Sequence, residues 1–177
     1  QGLDTLWGKG GNDTLEGGDD TDVVSGGAGN DLVTDAAGPL DKLKGDDGND
    51  IVRGGAGAGR ILGGNGNDFM AAGVDGAEAT GGQGTDFALG NATADTLIGN
   101  DGDDWPEGEA AADTLVGGNG KPFHEARGPG DDVFDGGAGP DAIDGEGGDD
   151  IIINSADRDS NEGLFGFDWM THVRDTQ

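Results

Sequence analysis

The sequence predicts an all-β chain wound as a solenoid of nine-residue repeats. Three observations carry that expectation. A nine-residue pattern keeps its register from residue 8 to residue 153. The composition is dominated by 41 glycines and by 37 acidic against 9 basic residues, a net charge of −28. A bulky apolar residue returns at one fixed place in most periods, as a thin core between two sheets requires.

The period is clearest in Gly26-Gly27-Ala28-Gly29-Asn30-Asp31-Leu32-Val33-Thr34 and in Gly63-Gly64-Asn65-Gly66-Asn67-Asp68-Phe69-Met70-Ala71. Both fit G-G-x-G-x-D-x-U-x, with U a bulky apolar residue. Windows start at 8, 17 and 26, Asp35 reads as one extra residue, ten windows run from 36 to 125, Ala126 reads as a second extra residue, and three windows fill 127–153. Residues 1–7 are the tail of an earlier window. Of these 17 windows, 14 carry Asp at position six, the exceptions being Gly59, Ala77 and Pro122, too regular a register for chance.

Each half of the repeat has its own physical role. Glycine can take positive φ and aim carbonyl oxygens into a turn. Asp adds a short, charged oxygen donor, and the apolar residue at position eight faces the core. So acidic a chain, so poor in apolar residues, does not compact until its charge is neutralised. Nucleic acid and anionic membranes have the wrong sign as partners. A hard divalent cation has the right sign and prefers oxygen ligands. Cysteine is absent, which excludes a disulfide scaffold and a thiolate metal site. No apolar run approaches the roughly 18 residues of a membrane-spanning helix. No signal peptide is visible, and the start in mid-pattern reads as a piece of a longer protein.

These repeats resemble the calcium-binding nonapeptide repeats of RTX (repeats-in-toxin) proteins, over residues 1–153. The resemblance implies a right-handed parallel β-roll. In it six residues of each window turn and three form a strand, two windows make one coil, and calcium lies between successive turns on the same edge. Carbonyls of the glycine turn and position-six aspartates two windows apart are the ligands so implied. At about 4.8 Å per strand, some eight coils make a rod roughly 40 Å long, with roughly 5–9 calcium ions. Such a core is too thin to offset the ordering entropy without metal, so the chain is expected to be disordered in its absence.

Sorting windows by parity separates the two edges. The odd windows carry Asp13, Asp31, Asp50, Asp68, Asp86 and Asp104 without a gap, with Gly11, Gly29, Gly48, Gly66, Gly84 and Gly102 at position four. These twelve are the expected metal-binding residues of the better edge. In the even windows position six reads Asp4, Asp22, Asp41, Gly59, Ala77, Asp95, Asp113, Asp132 and Asp150. Position four there includes Asp20, Pro39, Asp75, Thr93 and Ala111, so glycine is the minority. Asp132 with Asp150, and more weakly Asp4 with Asp22, are the even-edge metal candidates. The stretch around Gly59 and Ala77 is expected to lack calcium.

Position seven of the odd windows places Phe69, Phe87, Trp105 and Phe123 one coil apart. They form either an inward local core or an exposed stripe, which monomers rarely leave uncovered. Apolar residues of the tail, Leu164, Phe165, Phe167, Trp169 and Met170, or a neighbouring domain, are the expected cover. Residues 154–177 leave the repeat and read as a short irregular cap or linker, as solenoid ends require.

A narrower resemblance rests on Gly102-Asp103-Asp104-Trp105, Asp113-Thr114-Leu115-Val116-Gly117, Asn119-Gly120-Lys121-Pro122-Phe123 and the tail Asn161-Glu162-Gly163-Leu164-Phe165-Gly166-Phe167-Asp168-Trp169-Met170-Thr171-His172. Over about residues 99–177 it is similar to the RTX region of large bacterial proteins that also carry animal-type haem peroxidase domains. It brings no catalytic residue to this chain. The only histidines are His124 and His172, and no catalytic triad has a recognisable context. The expected function is therefore a non-catalytic, calcium-binding structural module of a secreted bacterial protein. Exported by a type I system and folded by extracellular calcium, it would scaffold neighbouring domains of the same polypeptide. The alternative is an adhesion or carbohydrate-binding module that presents the aromatic ladder to glycans.

Overall fold

Positions seven to nine of every window become strand, and in most of the described windows position eight points inward between two more exposed neighbours. The computed structural model describes residues 2–57 and 59–119 and, beyond these, six short strands. No helix occurs among the described residues. Even windows give the longer strands β1 (Thr5–Gly10), β3 (Val23–Ala28), β5 (Lys42–Asp47), β7 (Arg60–Asn65), β9 (Glu78–Gln83), β11 (Thr96–Asp101) and β13 (Thr114–Asn119). These run on into the glycines that open the next window. Odd windows give β2 (Thr14–Glu16), β4 (Leu32–Thr34), β6 (Ile51–Arg53), β8 (Phe69–Ala71), β10 (Phe87–Asn91), β12 (Trp105–Glu109) and β14 (Phe123–Glu125). The chain ends with β15 (Val133–Asp135), β16 (Ala142–Asp144), β17 (Ile151–Asn154), β18 (Ser160–Glu162) and β19 (Trp169–His172).

Odd- and even-numbered strands separate into a ten-stranded and a nine-stranded parallel sheet, each in strict sequence order. Every strand therefore pairs with the strand one coil away, which makes the molecule a parallel β-roll. Position-eight side chains fill the space between the sheets. Val24, Val33, Leu43, Val52, Ile61, Met70, Ala79 and Leu97 are fully buried, contributed alternately by the two sheets.

Pairing partners are 18 residues apart in most coils, as in Thr5↔Val23 and Phe87↔Trp105. The offset becomes 19 at Val23↔Lys42 and Thr114↔Val133, one for each extra residue in the sequence. The structure corrects the position of the first. Ala37 bridges both Asp19 and Ala56, residues that stand at position three. Asp35 accordingly occupies position one, level with Gly17 and Gly54, and Gly38 rather than Pro39 occupies position four. The added residue lies in the turn at Pro39–Leu40, where Leu40 takes a left-handed φ of 65° and faces solvent. A turn at the rim accepts an extra residue more readily than a paired strand.

The aromatic row faces outward. Phe69 and Phe87 stack with centroids 5.4 Å apart and planes 3° from parallel, and Phe87 meets Trp105 at 6.2 Å and 36°. Met70 and Ala88 beside them point into the core, and Trp105 is 42% exposed. Strand β14, which carries Phe123, pairs with β12 through Glu125 and Glu107. Past residue 153, β18 and β19 supply the last strand of the nine- and ten-stranded sheets. Trp169 and Met170 thus belong to the sheet opposite the aromatic row, which removes them as its cover. Leu164, Phe165 and Phe167 lie outside the described residues.

Candidate metal centres

The odd edge is a ladder of carboxylates. The backbone N–H of Asp13 donates to Asp31 Oδ1 at 2.8 Å, Asp31 to Asp50 at 2.8 Å and Asp50 to Asp68 at 2.8 Å. Asp68 then donates to Asp86 at 2.9 Å, and Asp86 to Asp104 at 3.0 Å. From Asp31 to Asp104 each Oδ1 is therefore used by the coil before it. Each Oδ2 of these six residues is buried and accepts no hydrogen bond. A buried carboxylate oxygen without a donor is costly, and six in a row call for a common partner.

The glycines explain where that partner would sit. A Cβ built on Gly26 would lie 2.4 Å from Asp31 Oδ2 and 2.7 Å from the Gly45 carbonyl oxygen. The equivalent oxygens of their own coils, an aspartate Oδ2 and a glycine carbonyl, crowd Gly45, Gly63, Gly81 and Gly99. A missing side chain at position one thus leaves a small space on which a carboxylate oxygen and a main-chain oxygen converge. Two oxygens with no proton between them repel, and a hard cation between them removes the repulsion while gaining oxygen ligands. At position four, Gly66 has φ of +126° and its absent Cβ would sit 2.0 Å from Gly48 O. This holds successive turns close enough to share one ion.

Burial raises the pKa of four carboxyls of this row, Asp50, Asp68, Asp86 and Asp104. Asp68 is pushed to about 6 and Asp86 to about 7, mainly by desolvation, offset in part by the backbone hydrogen bond each accepts. Asp50 and Asp104 move up for the same first cause. Without metal, Asp68 and Asp86 therefore hold protons at a pH where free carboxyls would not.

A second ladder was not anticipated from the sequence. At position five Asn30 N–H donates to Asn12 Oδ1 at 3.0 Å, Asn49 to Asn30 at 3.0 Å, Asn67 to Asn49 at 2.8 Å and Thr85 to Asn67 at 2.8 Å. Its signal was the recurrence of asparagine once per coil.

The even edge starts the same way. Asp4 N–H donates to Asp22 Oδ1 and Asp22 N–H to Asp41 Oδ1, both at 2.7 Å. The ladder then breaks, because Gly59 and Ala77 bring no carboxylate. Beyond the break the ladder resumes, with Asp95 N–H donating to Asp113 Oδ1 at 2.9 Å. Asp95 accepts from Ala77 N–H at 2.7 Å through Oδ1 and from Asn91 N–H at 2.9 Å through Oδ2. The Asn91 side-chain amide donates to the carbonyls of Gly73 and Asp75. Asp41 and Asp35, absent from the expected ligands, join Asp22 here: the three present carboxylate oxygens all within 4.8 Å of one another. Burial pushes Asp35 up to about 6, helped by the negative charge of Asp41 beside it. Asp132 and Asp150 lie outside the described residues.

A family model described as the RTX calcium-binding nonapeptide repeat (4 copies) matches residues 1–33, 41–75, 80–110, 89–121 and 128–160, well over half of the chain. The chain belongs to the RTX calcium-binding repeat family. RTX repeats bind calcium and form structural rather than catalytic domains, and the parallel roll and its carboxylate ladder agree with that role. RTX repeats occur in secreted bacterial proteins. No curated protein and no solved structure matched the chain significantly.

Proposed function

We propose that this RTX roll is a calcium-dependent folding module of a secreted bacterial protein. Its own charge keeps it unfolded where calcium is scarce, extracellular calcium folds it, and the folded rod scaffolds neighbouring domains of the same polypeptide. Any enzymatic activity of the parent, such as that of a haem peroxidase domain, would reside outside this chain. The observation that carries the reading is the unbroken row of buried, donor-less Oδ2 atoms from Asp13 to Asp104. Five slots between Asp13 and Asp104, backed by Gly11, Gly29, Gly48, Gly66, Gly84 and Gly102, are the main calcium sites, and Asp4, Asp22, Asp132 and Asp150 serve the other edge. A calcium titration followed by far-ultraviolet circular dichroism tests it. Sheet signal should appear cooperatively with calcium and vanish in chelator. Equal sheet content in excess chelator would reject the proposal.

The glycan-binding alternative is weaker. Sugars stack on exposed ring faces, whereas Phe69 and Phe87 turn their faces to each other. Their stacking serves the sheet rather than a ligand.

A further inference from the structure

We propose that Asp22, Asp35 and Asp41 form a three-carboxylate site for a hard cation, built differently from the slots of the nonapeptide plan. The proposal deepens the calcium-binding reading and rests on it. On the odd edge, the space beside a position-one glycine is shared by one carboxylate oxygen and the main-chain carbonyl of the next coil. The built Cβ of Gly8, for example, meets Gly26 O at 2.3 Å and Asp13 Oδ2 at 2.6 Å. At Gly17 the carbonyl is replaced. Its Cβ would meet Asp35 Oδ1 at 2.4 Å and Asp22 Oδ2 at 3.0 Å. The aspartate that stands where most other coils have glycine thus puts its own side chain into the slot.

Charge and burial make this arrangement costly without a counter-ion. Asp22 is 0%, Asp35 8% and Asp41 5% exposed. Oδ2 of Asp22 and Oδ2 of Asp35 are buried and accept no hydrogen bond. Asp35 Oδ1 receives a single long contact from Gly18 N–H at 3.2 Å, and Asp41 Oδ1 accepts from Asp22 N–H. The one salt bridge among the described residues, Arg60 with Glu78, does not involve them. Three carboxylates on one cation bring more negative charge than an odd-edge slot, where a carboxylate oxygen meets a main-chain carbonyl. This slot therefore takes calcium tightly and favours a trivalent ion of similar size over calcium more strongly than its neighbours do. The extra residue at Pro39–Leu40 lets Asp41 keep its ladder position although Asp35 has entered position one.

The test counts ions and locates one. Equilibrium dialysis of the full chain against calcium should show Asp35→Asn losing one ion per chain, or at least tenfold in affinity at one site, with the other sites unchanged. Gly17→Ala, whose methyl group competes for the same space, should do the same. In the calcium-loaded wild type, a tenth of an equivalent of terbium should first broaden the amide resonances of Gly18, Asp22 and Asp35, a measurement that needs no variant. Unchanged ion number and affinity in Asp35→Asn, or first broadening along the Asp50–Asp86 row, would overturn the inference while leaving the calcium roll intact. A wild type that binds no calcium would instead overturn the functional reading beneath it.

Discussion

Asp68 and Asp86 show how a single side chain sets the response of the roll to its medium. Their pKa values rise from the ordinary carboxyl value to about 6 and about 7 because burial disfavours the ionised form. Between pH ~4 and those values the metal-free folded chain binds more protons than the unfolded chain. Its stability then falls as pH rises and is lowest above pH ~7. Without calcium, acidification from pH 8 to pH 5 should therefore raise the sheet signal, as seen by circular dichroism in chelator. With calcium the sign reverses, since protons and the ion compete for the same oxygens. The calcium concentration at half-folding should climb as the pH falls over that range, and a midpoint independent of pH would contradict the assignment.

At the scale of the strand, inward and outward positions carry different loads. Ile61 on β7 is fully buried beside the break in the even ladder, where Gly59 and Ala77 offer no ligand and packing must hold the coils together. Ile61→Ala should cost about 2–4 kcal/mol in saturating calcium. Phe87 on β10 packs its ring outside the sheet against Phe69 and Trp105. Phe87→Ala should cost only about 0.5–1.5 kcal/mol. Thermal unfolding of the two variants in calcium gives the comparison, and a larger loss for Phe87 would place the aromatic row in the core. The position-eight pattern was legible for each strand because the spacing of inward residues is local. Whether the aromatics at position seven turned in or out was not legible, since Met70 and Ala88 beside them are weak core residues and the choice depends on how the two sheets close.

For the whole molecule the balance is between a thin core and a charge of −28. Two sheets held one side chain apart bury little apolar area per ordered residue. The unfolded chain of this length has a radius of gyration of about 45 Å and a folded domain about 16 Å. Small-angle scattering should move from near the first value in chelator towards the second in calcium. A compact chain at both ends of the titration would mean that the core suffices without metal.

The sequence by itself determined the repeat, the parallel stacking it implies, the odd row of aspartates and the interruption at Gly59 and Ala77. All of these follow from a period that repeats the same local chemistry in every coil. Only the tertiary structure decided where the period slips. A one-residue insertion can be placed anywhere between two intact windows without changing the pattern on either side. Ala37 pairs with Asp19 and Ala56, and that pairing moved the insertion to the turn at Pro39–Leu40. Asp35, which the period alone set aside as a surplus residue, thereby came to face Asp22 and Asp41. Register between coils is fixed by backbone hydrogen bonds across a whole turn of the roll, 18 or 19 residues apart. A linear pattern does not carry that information at the point where it breaks.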